Sequence, residues 1–244
     1  MEKINNKYKD ILDLSYLTKE YLLYEYLCDE NDINLLFQKI GYLFRHSIDN
    51  NIETEKKYLS NLDKIKKELY LDLATYMIND PSCNKEEEVV LCYPGYQALI
   101  FYRIAHLLFV MGYKLAARII AEDAHSKTGV DIHPGATIDK GVFIDHGTGV
   151  VIGETSIIET GVKIYQGVTL GASNLSKGYL LKGVKRHPTI KKNVTLYADC
   201  KIIGGETIID ENSVIGAGVV INSSIDKNKI VSMETKLIIK EKNE

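Results

Sequence analysis

Residues 131–152 read DIHPGATIDKGVFIDHGTGVVI, which places an aliphatic residue at every sixth position until Asp145-His146 interrupts the spacing. The repeat continues to about Ile221, with its phase shifted by one residue after Ile202. The repeating residues are Ile132, Ile138, Ile144, Ile152, Ile158, Ile164, Leu170, Ile190, Leu196, Ile202, Ile209, Ile215 and Ile221. A helix does not repeat every six residues, and an alternating strand repeats every two. A six-residue repeat is typical of a parallel β-helix, so we predict triangular coils that stack on one another.

Residues 1–128 show a different pattern, in which apolar residues recur every three or four positions as on helical faces. Lys56 to Ile78 is one such helical stretch, and Pro81 follows it, where proline prevents continuation of the helix. We therefore predict an α + β chain. Its parts are a helical domain over 1–128, a β-helix over 129–222 and a C-terminal tail over 223–244.

The composition excludes several classes of protein. A net charge of −3, with lysines interleaved among acids, offers no basic surface for nucleic acid. The N-terminus lacks the apolar region of a secretory signal, and no stretch has the roughly 18 apolar residues of a membrane-spanning helix. The cysteines are Cys28, Cys83, Cys92 and Cys200, and they form no CxxC pair. Free thiols are typical of a reducing compartment, so we expect a cytoplasmic protein. From the charge and the lack of a long apolar stretch, we expect it to bind neither nucleic acid nor membrane.

Asp145-His146 interrupts the repeat, and the next repeat residue follows eight positions after Ile144. The coil is therefore widened at this corner. Asp131 precedes His146 by 15 residues, while one coil is about 18 residues and stacked strands lie about 4.7–4.9 Å apart. We therefore predict that the two residues lie near one corner on successive rungs, where they could form a hydrogen bond. A carboxylate bonded to the ring would fix its tautomer and favour the imidazolium that forms on proton transfer. A simpler interpretation stays open, in which Asp145 caps the turn and His146 is only exposed.

The repeat is absent from Leu170 to Ile190, which read LGASNLSKGYLLKGVKRHPTI. Insertions leave a β-helix as loops at a corner, and such loops often carry function. We therefore predict a protruding loop over 172–187. Its lysines alone would fit a solvated loop, but the Arg186-His187 pair at its return is a second candidate for chemistry.

Three motifs together carry a resemblance to a known family. They are DIHPGATIDKGVFIDHGTGVVIGET from Asp131, YQGVTLGA from Tyr165 and KRHPTI from Lys185. They closely resemble the serine O-acetyltransferases, which are hexapeptide-repeat acyltransferases, and the resemblance runs from about Asn79 to Ile221. It implies a helical domain followed by a left-handed parallel β-helix. It also implies transfer of the acetyl group of acetyl-CoA to the hydroxyl of L-serine, the first step of cysteine biosynthesis.

The resemblance implies roles for individual residues. His146 would be the general base that takes the proton of the serine hydroxyl, and Asp131 would orient it. The residues implied for the substrate are Asp80 and Asp145 for the amino group, and Arg186 and His187 for the carboxylate. The residues implied for the pantetheine groove of acetyl-CoA are Gly171, Ala172, Ala198 and Ala217. Transfer would be direct in a ternary complex, with acetyl-CoA as co-substrate and no metal.

The resemblance also implies partners. Family members place active sites between neighbouring β-helices of a homotrimer, and many pair two trimers through the helical half, so a dimer of trimers stays open. Cysteine is the expected feedback inhibitor because it would occupy the serine site. Members that dock onto cysteine synthase use a C-terminal isoleucine, and Glu244 in that position argues against this complex because a charged end is costly to bury.

Three alternatives remain. The first keeps the fold and acetyl-CoA but changes the acceptor to homoserine or a sugar hydroxyl. The second is a metalloenzyme similar to the γ-type carbonic anhydrases, for which His133, His146 and His187 could be ligands. The third is a scaffold without activity. Arg186, Asp80 and Asp145 favour an amino acid as the acceptor, because they provide for both of its charged groups.

Overall fold

A computed structural model of the chain describes residues 2–27, 33–173 and 178–234. The N-terminal part of these residues is helical. The helices are α1 Glu2–Leu22, α2 Tyr24–Leu27, α3 Ile33–Ser47, α4 Ile52–Ser60, α5 Leu62–Asn79, α6 Glu86–Cys92, α7 Pro94–Val110 and α8 Lys114–Thr128. The stretch predicted as one helix over Lys56 to Ile78 is two helices that meet at Asn61, whose side-chain amide donates to the Lys57 carbonyl at 2.8 Å. None of the described helices is long and apolar enough to cross a membrane.

Short strands follow the helices. They are β1 Asp131–Ile132, β2 Thr137–Ile138, β3 Phe143–Ile144, β4 Val151–Ile152, β5 Ile157–Ile158, β6 Lys163–Ile164, β7 Thr169–Gly171, β8 Thr189–Ile190, β9 Thr195–Leu196, β10 Lys201–Ile203, β11 Ile208–Ile209, β12 Val214–Ile215, β13 Val220–Ile221 and β14 Ile230–Val231. A short 3-10 helix, Gly178–Leu181, lies in the loop between β7 and β8.

The strands form three parallel sheets that the chain visits in turn. Sheet A is β1-β4-β7-β10-β13, sheet B is β2-β5-β8-β11 and sheet C is β3-β6-β9-β12-β14. We call the connections between them the AB corner, the BC corner and the CA corner. Each coil is thus three strands and three corners, and the predicted helical domain followed by a β-helix of hexapeptide repeats is confirmed.

The repeat residues fill the interior of the β-helix. The second residue of each two-residue hexad strand is buried, whereas the first points outward on most strands. After the phase shift, Ile209, Ile215 and Ile221 are buried while Ile208 and Val220 are exposed. The predicted register is therefore confirmed, since a slip of one residue would expose every aliphatic side chain of the strand.

The coils continue beyond residue 222, where the tail was predicted to begin. β14 pairs with β12 through Val214 and Ile230, and Ile225 forms a bridge with Ile209. The segment after residue 222 is polar and has no regular hexads. The backbone pairing of the β-helix therefore extends further along the chain than the aliphatic repeat from which it was predicted.

A buried ion pair joins the helical domain to the first coil. Arg103 of α7 and Asp72 of α5 are 2.7 Å apart, with 4% and 0% of their side chains exposed. Asp72 also accepts a hydrogen bond from the Val142 N–H at 3.1 Å, and Arg103 donates to the Asp139 carbonyl at 3.0 Å. These bonds satisfy the buried charges and hold α5 and α7 against the β-helix.

Candidate active site

Asp145 and His146 lie at the CA corner that connects β3 to β4. Six residues, 145–150, make this connection, whereas four residues, 165–168, connect β6 to β7. His146 has a φ of 55°, in the left-handed region that few residues other than glycine adopt. Its side chain is 69% exposed, and its Nε2 lies 3.8 Å from Asp145 Oδ2. The widened corner therefore presents an accessible imidazole with a carboxylate beside it.

Helix α5 brings a second carboxylate to this corner. Asp80 is the residue that caps the C-terminal end of α5, and it accepts hydrogen bonds from the hydroxyls of Ser82 at 2.6 Å and Tyr93 at 2.7 Å. These two bonds lower the pKa of Asp80 most, and the neighbouring His146 lowers it further. The structure thus brings Asp80, Asp145 and His146 together, with Asp80 held in its anionic form.

Asp131 lies on the strand next to the CA corner but does not form the predicted contact. No hydrogen bond joins its carboxylate to His146, and the structure describes both residues. Its register partner is Val151, and its carboxylate lies with Glu122 and His125 of α8, whose ligand atoms are all within 4.8 Å of one another. The role of Asp131 as the orienting carboxylate stays a prediction.

Arg186 and His187 lie at the AB corner, where the loop after β7 returns to β8. The Arg186 guanidinium forms an ion pair with Glu154, which belongs to the connection from β4 to β5. His187 is buried and bonds to Thr155 of the same connection. Burial lowers the pKa of His187 to about 4, and the positive charges of Arg186 and Lys185 lower it as well. The predicted carboxylate-binding pair is thus a neutral imidazole beside a guanidinium.

The four small residues predicted to line the acetyl-CoA groove are divided between the same two corners. Ala198 and Ala217 lie at the CA corner on adjacent rungs, since the Gly218 N–H donates to the Ala198 carbonyl at 2.9 Å. Gly171 ends β7 and Ala172 follows it, so both lie at the AB corner. Within one chain, each corner carries half of the predicted substrate residues and half of the predicted cofactor residues.

The sequence pattern did not identify three residues that support this site. Tyr93 bonds to Asp80, Glu154 pairs with Arg186 and Thr155 bonds to His187. Glu154 and Thr155 sit at the corner that follows β4, one and two positions after Gly153, and the pairing of β5 with β8 places them beside the returning loop. Counting hexads could have identified them only with the knowledge that the chain resumes the same coil after the loop, with β8 stacked on β5.

The comparison with curated proteins decides the family. The chain is 41% identical over 169 residues to the serine acetyltransferase of Bacillus subtilis, which covers 69% of this chain and 75% of the relative. This chain belongs to the serine acetyltransferase family. A plasmid-encoded serine acetyltransferase of Synechococcus elongatus is 43% identical over 183 residues, covering 74% of this chain. The chain spans 57% of the length of that relative and 61% of a second Synechococcus relative.

Solved structures of serine acetyltransferases share the whole architecture. The isoform 3 enzyme of Entamoeba histolytica, solved in complex with cysteine, aligns with a TM-score of 0.82 at 33% identity and covers 94% of this chain and 84% of that one. The Neisseria gonorrhoeae serine acetyltransferase in complex with serine aligns with a TM-score of 0.67 at 27% identity, covering 92% of this chain and 97% of that one. No family model matches the chain.

Proposed function

We propose that this member of the serine acetyltransferase family transfers the acetyl group of acetyl-CoA to the hydroxyl of L-serine, giving O-acetyl-L-serine and CoA. The observation that carries the proposal is the exposed His146 imidazole, which lies 3.8 Å from the Asp145 carboxylate and near enough to Asp80 to lower the pKa of that carboxyl. A base is needed because a serine hydroxyl is too weakly acidic to attack a thioester unaided at neutral pH. Two carboxylates beside that base suit the ammonium group of an amino acid.

The proposed reaction has two proton transfers. The His146 imidazole takes the hydroxyl proton as the serine oxygen bonds to the thioester carbonyl carbon. The tetrahedral intermediate then loses its carbon–sulfur bond, and the imidazolium returns the proton to the departing CoA thiolate. Neither proposed step requires an acyl-enzyme or a metal, because the thiolate is a good leaving group and the base is regenerated.

The assembly that we propose is a homotrimer in which each site lies between two chains. Asp80, Asp145 and His146 belong to the CA corner of one chain, and Arg186 and His187 belong to the AB corner. The two corners flank the same sheet, so a cyclic arrangement can bring the CA corner of one chain to the AB corner of the next. Such a head-to-tail interface closes after three copies and completes every site. A pairing of two trimers through the helical domain remains the alternative assembly.

The same arrangement provides a groove for acetyl-CoA. Ala198 and Ala217 run along the CA corner away from His146, and Gly171 and Ala172 would face them from the neighbouring chain. Small side chains on both walls would let the pantetheine arm approach the backbone. The thioester would then enter the site along the axis of the β-helix and reach the imidazole.

Regulation and location are part of this proposal. The Entamoeba isoform 3 structure contains cysteine, and cysteine carries the same two charged groups as serine, so we propose that it competes at this site as a feedback inhibitor. The expectation that Glu244 argues against a complex with cysteine synthase lies outside the described residues. The cytoplasmic location expected from the sequence also stays a proposal.

A panel of acceptors tests the proposed activity. CoA release from acetyl-CoA would be followed with serine, with homoserine and without acceptor, at equal concentrations. We expect stimulation by serine well above that by homoserine. The two carboxylates and Arg186 would fix both charged groups of either amino acid, and the hydroxyl of homoserine would then lie one methylene beyond the position that the serine hydroxyl takes. Stimulation by homoserine or a sugar alone would favour the alternative acceptors, and stoichiometric bound zinc in active protein would favour the metalloenzyme.

A further inference from the structure

The Nδ1 atom of His187 is a hydrogen-bond acceptor. The backbone N–H of Thr155 donates to it at 3.1 Å, and the Thr155 hydroxyl lies 3.0 Å from the same nitrogen. A backbone N–H can only donate, so Nδ1 carries a lone pair and no proton. The ring is therefore a neutral imidazole whose single proton is on Nε2.

The Thr155 hydroxyl has its full set of hydrogen bonds. Its oxygen accepts from the backbone N–H of Arg186 at 2.9 Å and from the N–H of His187 at 3.0 Å. A hydroxyl has two acceptor sites and one proton, so the remaining proton must point to His187 Nδ1. One side chain thus fixes the backbone at the end of the loop and also the orientation of the imidazole.

Gly153 provides the space for the ring. A Cβ atom at this position would lie 2.0 Å from His187 Cδ2 and 2.1 Å from Nε2. The φ of Gly153 is not in the left-handed region, so the glycine is needed here for space and not for its backbone conformation. The imidazole consequently packs directly against the chain just before Thr155.

The charges around His187 also favour the neutral ring. Lys185 and Arg186 on its own loop disfavour a further positive charge, as does His133 from the connection between β1 and β2. Glu154 acts in the opposite direction but is paired with Arg186. Within the described residues, Nε2 has no hydrogen-bond partner, so its N–H is available to a ligand.

We propose that Thr155 is a positioning residue that holds His187 as a neutral imidazole protonated on Nε2, so that the ring offers the substrate carboxylate one N–H donor. The Arg186 guanidinium then supplies the positive charge, and the two groups act as different partners for one carboxylate. The inference deepens the proposed function and rests on it for the identity of the ligand. The tautomer itself rests only on the geometry of Thr155.

Nitrogen-15 NMR of the full-length protein labelled in histidine tests the tautomer without reference to activity. The His187 signals would be assigned by their loss in His187→Asn. We expect an unprotonated Nδ1 and a protonated Nε2 whose shifts stay constant from pH 8 to pH 5, since burial lowers the pKa of His187 to about 4. Protonation of Nδ1, or titration of the ring within this range, would overturn the assignment of the tautomer.

Kinetics of Thr155→Val and Thr155→Ser test the positioning role. The valine variant keeps the shape of the side chain but removes the hydroxyl, so we expect the KM for serine to rise about tenfold, the size of one lost hydrogen bond to a buried group. The KM for acetyl-CoA should stay within about twofold, and Thr155→Ser should restore the serine KM.

Matched controls separate the possible failures. Thr137→Val, on the exposed face of β2, should leave both KM values unchanged, and thermal unfolding would verify that each variant is folded. An unchanged serine KM in Thr155→Val overturns the positioning role even if the NMR result holds. Absence of any serine-dependent activity in the wild type contradicts the proposed function and leaves the tautomer result intact.

Discussion

The hydroxyl of Tyr76 bonds to both backbone groups of Ile144, donating to its carbonyl at 3.1 Å and accepting from its N–H at 3.2 Å. Tyr76 lies one turn before the end of α5, and Ile144 immediately precedes Asp145. The pair therefore sets the distance between the end of the helix, which carries Asp80, and the corner, which carries His146. A helical residue acts on the site through the backbone of a β-strand.

Replacing Tyr76 by phenylalanine should loosen this link. The change removes one hydroxyl and leaves two buried backbone groups of Ile144 without partners, which should lower the free energy of unfolding by about 1–3 kcal/mol. We also expect the KM for serine to rise, because the end of α5, which carries Asp80, is no longer tied to the corner that carries Asp145, while the KM for acetyl-CoA changes little. Urea unfolding and steady-state kinetics measure both effects. Tyr42→Phe, at an exposed position, is the control, and equal effects of the two changes would contradict this account.

Asp80→Asn tests the contact with the amino group of serine. The amide keeps the shape but removes the negative charge, so we expect the KM for serine to rise about 10- to 100-fold, as for a hydrogen bond to a charged group. Tyr93→Phe should have a smaller effect in the same direction, because it removes only one bond to Asp80. Initial rates at varied serine measure the change, with the exposed Asp13→Asn as the control. A purely structural Asp80 would leave the serine KM unaltered.

The buried ion pair between Asp72 and Arg103 predicts a large effect on stability. Asp72→Ala leaves the buried guanidinium with only the partly exposed Glu68 carboxylate, 3.1 Å away, as its ionic partner. The change should lower the free energy of unfolding by about 3 kcal/mol, the low end of the cost of breaking a buried pair. Lys56→Ala breaks an ion pair with Glu53 whose side chains are 67% and 78% exposed, and it should cost at most about 1 kcal/mol. Denaturant unfolding of both variants provides the comparison. Similar small losses in the two would show that the buried pair does not hold the domains together.

Mixed trimers test whether the site is shared between chains. His146→Ala and Arg186→Ala homotrimers should both have little activity, since each lacks one half of every site. Co-expression with two affinity tags allows trimers that contain both variants to be isolated. In a cyclic trimer about one site in three then combines an intact His146 with an intact Arg186 from the next chain. We expect about a third of the wild-type rate, whereas a site within one chain would give none.

The β-helix could be predicted from the sequence because its pattern is local. Every hexad buries one aliphatic residue, and the shift at Ile202 could be followed because Ile209 and Ile215 keep the spacing on the other side. The last coil could not be predicted, since its strand Ile230–Val231 follows a polar segment and is held by backbone pairing with Val214. Backbone hydrogen bonds do not depend on side-chain hydrophobicity, so a hydrophobic pattern does not predict them.

The candidate site could be predicted only in part, for a related reason. The interruption at His146 marked the corner, but it also lengthens the coil and pairs Asp131 with Val151. No hydrogen bond joins the Asp131 carboxylate to the imidazole, and both residues are described. The contact between Thr155 and His187 spans a loop of arbitrary length. Residues brought together by such an insertion have no fixed spacing, and their contact becomes apparent only in the folded chain.

The rate of serine-dependent CoA release in wild type and His146→Ala tests the central claim most directly. We expect serine to stimulate release by the wild type and the variant to lose about 10²- to 10⁴-fold in kcat, the usual contribution of a general base. The circular dichroism spectrum and the oligomeric state of the variant should match the wild type, because the side chain is exposed. A wild type that serine does not stimulate, or a variant with full activity, would contradict the account.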